Sequence, residues 1–138
     1  MDDKNLSQQI KEKAKKEGFA VSAIASIPGS TRINLRTKAL ERWLNSNYHS
    51  EMKWMEYEER KNIKSLLEGA KSVLCVGYNY FSNKNLNNQN LKIARFSQGD
   101  DYHKVIKKKL KNIGRWINSE IPSCKWKICV DTSPLLEK

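Results

Sequence analysis

The residues best suited to chemistry lie in two short segments near the C-terminus. Asp131 directly follows the apolar run Ile128-Cys129-Val130, so its carboxylate stands where a buried strand would end. Sites collect at strand ends in layered α/β proteins, and a strand-end acid beside a cationic helix suits chemistry on an anionic substrate. The alternative is structural, because an aspartate there can also form an Asx turn or cap a helix that begins at Leu135.

The second segment runs from Gly99 to Lys109 and opens a basic amphipathic helix. His103 begins it with Tyr102, and a lone histidine there can equally be a capping or packing residue. Lysines and an arginine recur at helical spacing on the face opposite the apolar stripe, and no acidic residue interrupts them: Lys104, Lys107, Lys108, Lys111 and Arg115. This pattern favours a phosphate-contacting surface, although a solvated helix face is the alternative.

Composition bounds the possible functions. The chain has 138 residues, with 26 Lys and Arg against 15 Asp and Glu, and its net charge of +11 predicts attraction to polyanions such as RNA. Aromatic residues could stack on bases, although some must belong to the core: Tyr48, Trp54, Tyr57, Tyr80 and Phe96. The sequence contains no glycine-rich nucleotide-binding loop, no His-Glu-x-x-His motif of zinc proteases and no Gly-x-Ser-x-Gly motif of serine hydrolases.

The three cysteines do not form a metal-binding framework. Such a set fits a protein of a reducing compartment. Cys75, Cys124 and Cys129 form no Cys-x-x-Cys pair, and we predict that Cys75 and Cys129 are small buried core residues. The polar N-terminus does not resemble a secretory signal, and no apolar run approaches the length of a membrane span. We therefore expect a cytoplasmic protein with no membrane partner.

Hydrophobic periodicity predicts an α/β (α+β) fold, a single layered domain with a small mixed sheet flanked by helices. The first predicted helix covers Leu6 to Lys16, with Gly18 as its C-cap, and the second covers Asn34 to Asn47. A short helix follows Ser50, and the last covers Tyr102 to Asn118, with Asp100 or Asp101 as its N-cap. The predicted strands cover Phe19 to Ala25, Val73 to Tyr80 and Trp126 to Val130, of which the second reads as a central strand.

Five stretches together form a specific series. They are Tyr48-His49-Ser50-Glu51-Met52, Arg60, Gly69 to Val73, Ala94 to Val105 and Val130 to Lys138. In this order they resemble the N-terminal part of epoxyqueuosine reductase, a family of tRNA queuosine biosynthesis. The resemblance covers essentially the whole chain, and its Gly-x-Asp-Tyr-His-Lys and Val-Asp-Thr-x-Pro-x-Leu-Glu elements are specific in combination.

The resemblance implies a function and a set of site residues. The family reduces the epoxide of epoxyqueuosine, at the wobble position of certain tRNAs, to the alkene of queuosine. Cobalamin does the reductive chemistry there, and two [4Fe–4S] clusters supply electrons. By resemblance, Asp131 is the proton donor and cobalamin contacts Arg60, Ala94 and Asp131. The partner implied is tRNA, which the cationic helix would face.

The sequence also departs from the family pattern. Lys61-Asn62-Ile63 replaces an acidic-Pro pair, and Gln98 replaces an aromatic residue. The family continues into a ferredoxin-like domain with two cysteine-rich cluster motifs, for which this sequence contains no ligands. We expect residues 1–138 to be the N-terminal cobalamin-binding domain, a truncated oxidoreductase that needs a separate iron–sulfur chain. The alternatives are a non-catalytic basic RNA-binding module and a vestigial fragment.

Overall fold

A computed structural model describes residues 3–27, 31–80, 94, 99–131 and 133–135. Its helices are α1 (Asp3–Lys16), α2 (Thr31–Asn45), α3 (Glu58–Lys61) and α4 (Tyr102–Glu120), and its strands are β1 (Val21–Ser26) and β2 (Ser72–Gly77). Short 3₁₀ turns span Lys53–Glu56 and Ile63–Ser65. The predicted α/β (α+β) class is confirmed, with a small antiparallel sheet of two strands among the described residues.

The chain divides into two compact units, which are described separately. Unit 1 consists of the described parts of Met1–Ile24 and Leu74–Asp131, and unit 2 of those of Ala25–Val73 and Thr132–Lys138. At the two ends of the sheet, Ala20 N donates to Gly77 O and Ile27 N donates to Lys71 O, as antiparallel pairing requires.

Unit 1 is built around the apolar stripes of α1 and α4. Ala14, Phe19 and Ile113 form the buried cluster. Leu74, Val76, Tyr78, Ile106, Leu110 and Ile117 pack against it. The predicted stripe of α4 is thus confirmed. Gly18 ends α1 with a φ of 89°, which a Cβ would disfavour, so its prediction as a C-cap is confirmed too.

Strand β2 differs from its predicted environment. Among the described residues the sheet has two strands, so β2 is not a central strand there, and Cys75 is exposed rather than buried. Cys129 is only half-buried. The prediction that these two cysteines lie in the core is therefore wrong, because an apolar run by itself does not reveal which other segments pack against its faces.

The predicted strand from Trp126 to Val130 is also wrong, since these residues form no regular secondary structure. Side chains hold the segment against α4 instead. The Trp126 indole lies against Gly114, so close that a Cβ on that glycine would clash with it, and its Nε1 donates to Asn118 Oδ1. Asn118 in turn donates to the carbonyl of Cys124 at 3.3 Å.

Unit 2 buries few side chains. Leu40 of α2 is buried, whereas Leu35 and Ala39 of the same helix are exposed. His49 is the buried polar residue of this unit, with 7% of its surface exposed. It follows α2 in a turn that contains left-handed backbone at Asn47 and Ser50. His49 is therefore a packing residue of unit 2. Among the described helices, none has the length and apolarity needed to cross a membrane.

Candidate functional site

Asp131 ends unit 1 in an unusual backbone conformation. Its φ is 51°, a left-handed value that few residues other than glycine adopt, whereas the preceding Val130 is buried. The Asp131 side chain is 62% exposed. The alternative of a cap for a helix that begins at Leu135 stays a prediction, because such a helix would lie in residues beyond the described part of the chain. An exposed carboxylate therefore directly follows the buried Val130.

Tyr102 is the closest partner of that carboxylate. Its hydroxyl donates to Asp131 Oδ2 at 2.6 Å, which joins the first residue of α4 to a residue 29 positions later. This hydrogen bond to the carboxylate, with smaller effects of desolvation and of the negative charges of Asp131 and Asp101, raises the pKa of the Tyr102 phenol above its usual 10.0. The sequence did not predict this link, because no local pattern connects the two residues.

His103 lies between two carboxylates. Its Nδ1 is 2.9 Å from Asp101 Oδ1, and its Nε2 is 3.5 Å from Asp131 Oδ2. Asp101 also caps α4, since its Oδ1 accepts from His103 N at 3.0 Å, which confirms one of the two predicted caps. The hydrogen bonds from the His103 side chain and backbone lower the pKa of the Asp101 carboxyl.

This arrangement orients the imidazole. When Nδ1 donates to Asp101, a neutral ring presents the lone pair of Nε2 toward Asp131, and a protonated ring presents an N–H there. Tyr102 stacks on the same ring, with 4.1 Å between the ring centroids. Asp131, Tyr102 and His103 thus form a cluster whose members can hold a proton, and we call it the Asp131 cluster.

A cavity of about 240 Å³ adjoins this cluster and is lined by Tyr78, Tyr80, Tyr102 and Ile106. Tyr78 is fixed by an edge-to-face contact with Phe19, at 6.2 Å between centroids. Tyr80 is 62% exposed. Three phenol rings around an open space suit a flat, partly polar ligand. We call this space the tyrosine cavity.

The predicted cationic face of α4 is confirmed as exposed. Its members are Lys104, Lys107, Lys108, Lys111 and Arg115. Lys109 differs from them, because its Nζ donates to the Glu17 carbonyl and lies 5.4 Å from the centre of the Tyr78 ring. Of the aromatic residues predicted as possible base contacts, Tyr48, Trp54, Tyr57 and Tyr80 are exposed. Phe96 lies outside the described residues.

The other two predicted cofactor residues lie apart in the chain. Ala94 is exposed and belongs to unit 1, as Asp131 does, whereas Arg60 belongs to unit 2. Arg60 Nε donates to the Trp54 carbonyl at 3.1 Å, and its Nη1 donates to the Leu135 carbonyl at 3.2 Å. Its guanidinium also lies 4.6 Å from the centre of the Trp54 ring. Arg60 therefore ties the last described residues to the turn at Trp54.

Within the described part of the chain, no three His, Cys, Asp or Glu side chains form a group that could hold a metal ion. The three cysteines are free thiols.

Comparison with known proteins identifies the family. The family model for epoxyqueuosine reductase QueG, DUF1730, matches residues 60–132. A relative from Prochlorococcus marinus (strain NATL2A), named epoxyqueuosine reductase, is 48% identical over 97% of this chain and 43% of its own length. A relative from Synechococcus sp. (strain CC9605) is 47% identical over 96% of this chain and 41% of its own length. A relative from Cyclobacterium marinum is 38% identical over 96% of this chain and 43% of its own length, and both bear the same name.

The chain therefore spans less than half the length of these curated relatives. No solved structure matches it significantly. The matched region begins at Arg60 and contains both the Asp131 cluster and the cationic face of α4. On this evidence, the chain belongs to the epoxyqueuosine reductase QueG family.

Proposed function

We propose that this chain forms the substrate-facing part of an epoxyqueuosine reductase, with Asp131 as the proton donor. The observation that carries the proposal is the Asp131 cluster, in which an exposed carboxylate is held by Tyr102 and faced by His103. The names of the relatives support the reaction, and the family resemblance supports a tRNA substrate. The assignment of the proton to Asp131 is our inference from its geometry and from the family resemblance.

The reaction requires a proton at a defined place. Conversion of an epoxide to an alkene consumes two electrons and two protons, and the oxygen leaves as water. Tyr102 and His103 both approach Oδ2 of Asp131, so we assign the transferred proton to Oδ1. Tyr102 keeps the carboxyl in one orientation, and Oδ1 takes up a new proton from solvent after each turnover, since the Asp131 side chain is 62% exposed.

Cobalamin is the cofactor we propose, on the family resemblance. The residues of this chain fit part of its site: Asp131 and Ala94 are exposed, and a carboxylate can accept hydrogen bonds from the amide side chains of a corrin. Arg60 uses two of its five N–H donors on carbonyl groups, which leaves further donors for a ligand. When bound, cobalamin supplies the reductive chemistry, and this chain orients the substrate and provides the proton.

In this proposal, the electrons come from outside this chain. The described residues include no group that could ligate an iron–sulfur cluster, so the two clusters of the family would come from a separate iron–sulfur domain.

The test is the substitution Asp131→Asn, which keeps the shape of the side chain and removes its acidic proton. We expect the unsubstituted chain, given cobalamin, titanium(III) citrate as electron donor and tRNA that carries epoxyqueuosine, to form queuosine, measured by nucleoside mass spectrometry. Asp131→Asn should lower the rate by about 100-fold or more, in the range of general acid catalysis. Asp100→Asn is the matched control, since Asp100 is an exposed neighbouring carboxylate outside the cluster.

Cobalamin binding is measured separately by the absorbance change of the cofactor, and Asp131→Asn should retain it. Turnover by Asp131→Asn at the rate of the unsubstituted chain would exclude the proton-donor role. A chain that binds tRNA, but neither changes the spectrum of cobalamin nor reduces the epoxide, would support the second candidate. That candidate is a non-catalytic RNA-binding module, which the exposed cationic face of α4 favours.

A further inference from the structure

We propose that the tyrosine cavity binds an organic cation, a quaternary ammonium group or a protonated amine, against the rings of Tyr78, Tyr80 and Tyr102. The inference goes beyond the proposed function, because it concerns the charge of a ligand and does not require the chain to reduce an epoxide. It narrows the ligand that the cavity suits to one whose polar part carries a positive charge.

The first support is the composition of the cavity wall. The described residues that line the cavity are three tyrosines and Ile106. The face of an aromatic ring carries partial negative charge, so several rings around one space attract a cation, and such aromatic cages recognise quaternary ammonium groups. A cavity of roughly 150 Å³ can hold benzene. The tyrosine cavity, at about 240 Å³, therefore has room for a trimethylammonium group.

The second support is that the rings are held in place and can be reached. Tyr78 contacts the buried core residue Phe19 edge to face, and Tyr102 stacks on His103. Tyr80 is 62% exposed. The cavity wall thus combines two rings that are fixed by aromatic contacts with one ring that a ligand can approach from solvent.

The third support is the negative charge beside Tyr102. Its hydroxyl donates to the carboxylate of Asp131. The pKa of the Tyr102 phenol is raised first by this hydrogen bond, then by desolvation and by the negative charges of Asp131 and Asp101. These carboxylates place the Tyr102 side chain in a negative potential, which favours a cation over a neutral or anionic ligand.

The lysines of α4 do not oppose this binding. Lys104 and Lys108 are each two positions from Ile106, so they lie roughly 200° away from it around the helix. Lys109 is nearer, and its Nζ lies 5.4 Å from the centre of the Tyr78 ring, within the distance of about 6 Å at which a ring attracts a cation. The surroundings of Tyr78 therefore already accept one ammonium group.

The experiment compares a cation with a neutral molecule of the same shape. The two probes are choline and dimethylbutanol, the neutral analogue in which a tert-butyl group replaces the trimethylammonium group. Each is titrated at constant ionic strength into the whole chain with carbon-13 in its tyrosine rings, and the ring signals are followed by NMR. The chain has five tyrosines, and single Tyr→Phe substitutions assign their signals. Tyr48 and Tyr57 of unit 2 serve as internal controls.

We expect choline to shift the signals of Tyr78, Tyr80 and Tyr102, and to bind about tenfold more tightly than dimethylbutanol, as expected for a cation over aromatic rings. The signals of Tyr48 and Tyr57 should not move. Equal affinity for the two probes would show that the cavity selects apolar shape and not charge, and would overturn the proposal. Choline that leaves the three cavity signals unchanged, or shifts all five signals equally, would overturn it as well.

Tyr80→Leu tests the contribution of one ring. Leucine keeps an apolar side chain but removes the ring, so choline should bind about three- to tenfold more weakly, whereas dimethylbutanol should lose less than about twofold. Tyr57→Leu is the matched control, since Tyr57 is 55% exposed and lies in unit 2. It should leave both affinities unchanged, and circular dichroism checks that both variants fold. Equal losses of choline affinity in the two variants would mean that choline does not bind in the cavity.

The binding measurement and the reduction assay fail independently. Both probes are titrated without cobalamin, electron donor or tRNA, so a chain that does not reduce the epoxide can still bind choline. Absence of charge-selective binding would overturn this inference alone, and absence of reduction would overturn the proposed function alone.

Discussion

The two histidines of this chain both pair with a carboxylate, but in contrasting surroundings. His49 of unit 2 is 7% exposed, its Nε2 is 2.9 Å from Glu56 Oε1, and its ring lies against Trp43 at 5.8 Å. The His103 side chain in unit 1 is 30% exposed, and a second carboxylate, Asp131, faces its other nitrogen. The same residue types thus form a packed contact in one unit and an open cluster in the other.

The difference shows what makes such a pair available for chemistry. His49 Nδ1 and His103 Nε2 are both buried atoms without a hydrogen bond among the described residues. The nitrogen of His103 lies 3.5 Å from Asp131, a second carboxylate in addition to Asp101. The His49 ring has one carboxylate partner, Glu56, and its side chain is 10% exposed, against 30% for His103.

The largest effect is expected from removal of the buried ring. His49→Ala deletes a packed side chain and leaves a cavity beside Trp43, so the free energy of unfolding should fall by about 2–4 kcal/mol. His103→Ala removes a partly exposed ring and should cost less than about 1 kcal/mol. Urea denaturation of both variants measures the difference. Equal losses would show that His103 is as structural as His49.

A smaller effect is expected from an added methyl group in α4. A Cβ at Gly114 would come within 2.5–2.7 Å of three indole atoms of Trp126, so Gly114→Ala must displace the segment that leads to Asp131. Overpacking should outweigh the gain in helix propensity and lower the free energy of unfolding by about 1–2 kcal/mol.

Gly99→Ala is the matched control, since a Cβ there meets no atom within 4 Å. Both variants are measured by thermal and urea unfolding. A fully stable Gly114→Ala variant would mean that Trp126 does not hold this segment as described.

The smallest effect concerns the titration of Tyr102. Its pKa is raised by the hydrogen bond to Asp131, so in the folded protein this phenol should ionise above pH 10.0, as monitored by tyrosinate absorbance. The sign follows from linkage. A raised pKa in the folded state contributes stability that is fully present below pH 10.0 and is lost as the pH rises through the folded value.

Asp131→Asn should return the titration of one tyrosine toward the ordinary value, with Tyr102→Phe to identify which tyrosine it is. An unchanged titration curve in Asp131→Asn would contradict the contact between Tyr102 and Asp131.

Local patterns predicted the helices well. The spacing of Ile106, Leu110, Ile113 and Ile117 predicted the buried stripe of α4. Asp101 was one of the two residues predicted to cap α4, and Gly18 was predicted to end α1. These features depend on neighbours within a few residues, which a single sequence displays directly. The positions of exposed lysines on α4 followed from the same periodicity.

Predictions that depended on distant partners were less successful. Trp126 to Val130 has the composition of a strand but lies against α4, and Cys75 has apolar neighbours but is exposed. Whether an apolar run becomes a strand, and whether that strand is covered, depends on which other segments pair with it. That information is spread over the whole chain.

The sequence by itself determined the fold class, the two faces of α4 and, through resemblance, the family, and it predicted Asp131 as a site residue. Only the tertiary structure placed Tyr102 and His103 against Asp131 and left His49 enclosed. The physical reason is that charge and periodicity are properties of short segments, whereas the surroundings of a titratable group are set by residues far away in the chain. Asp131 changes accordingly from a strand-end acid to one member of a hydrogen-bonded cluster.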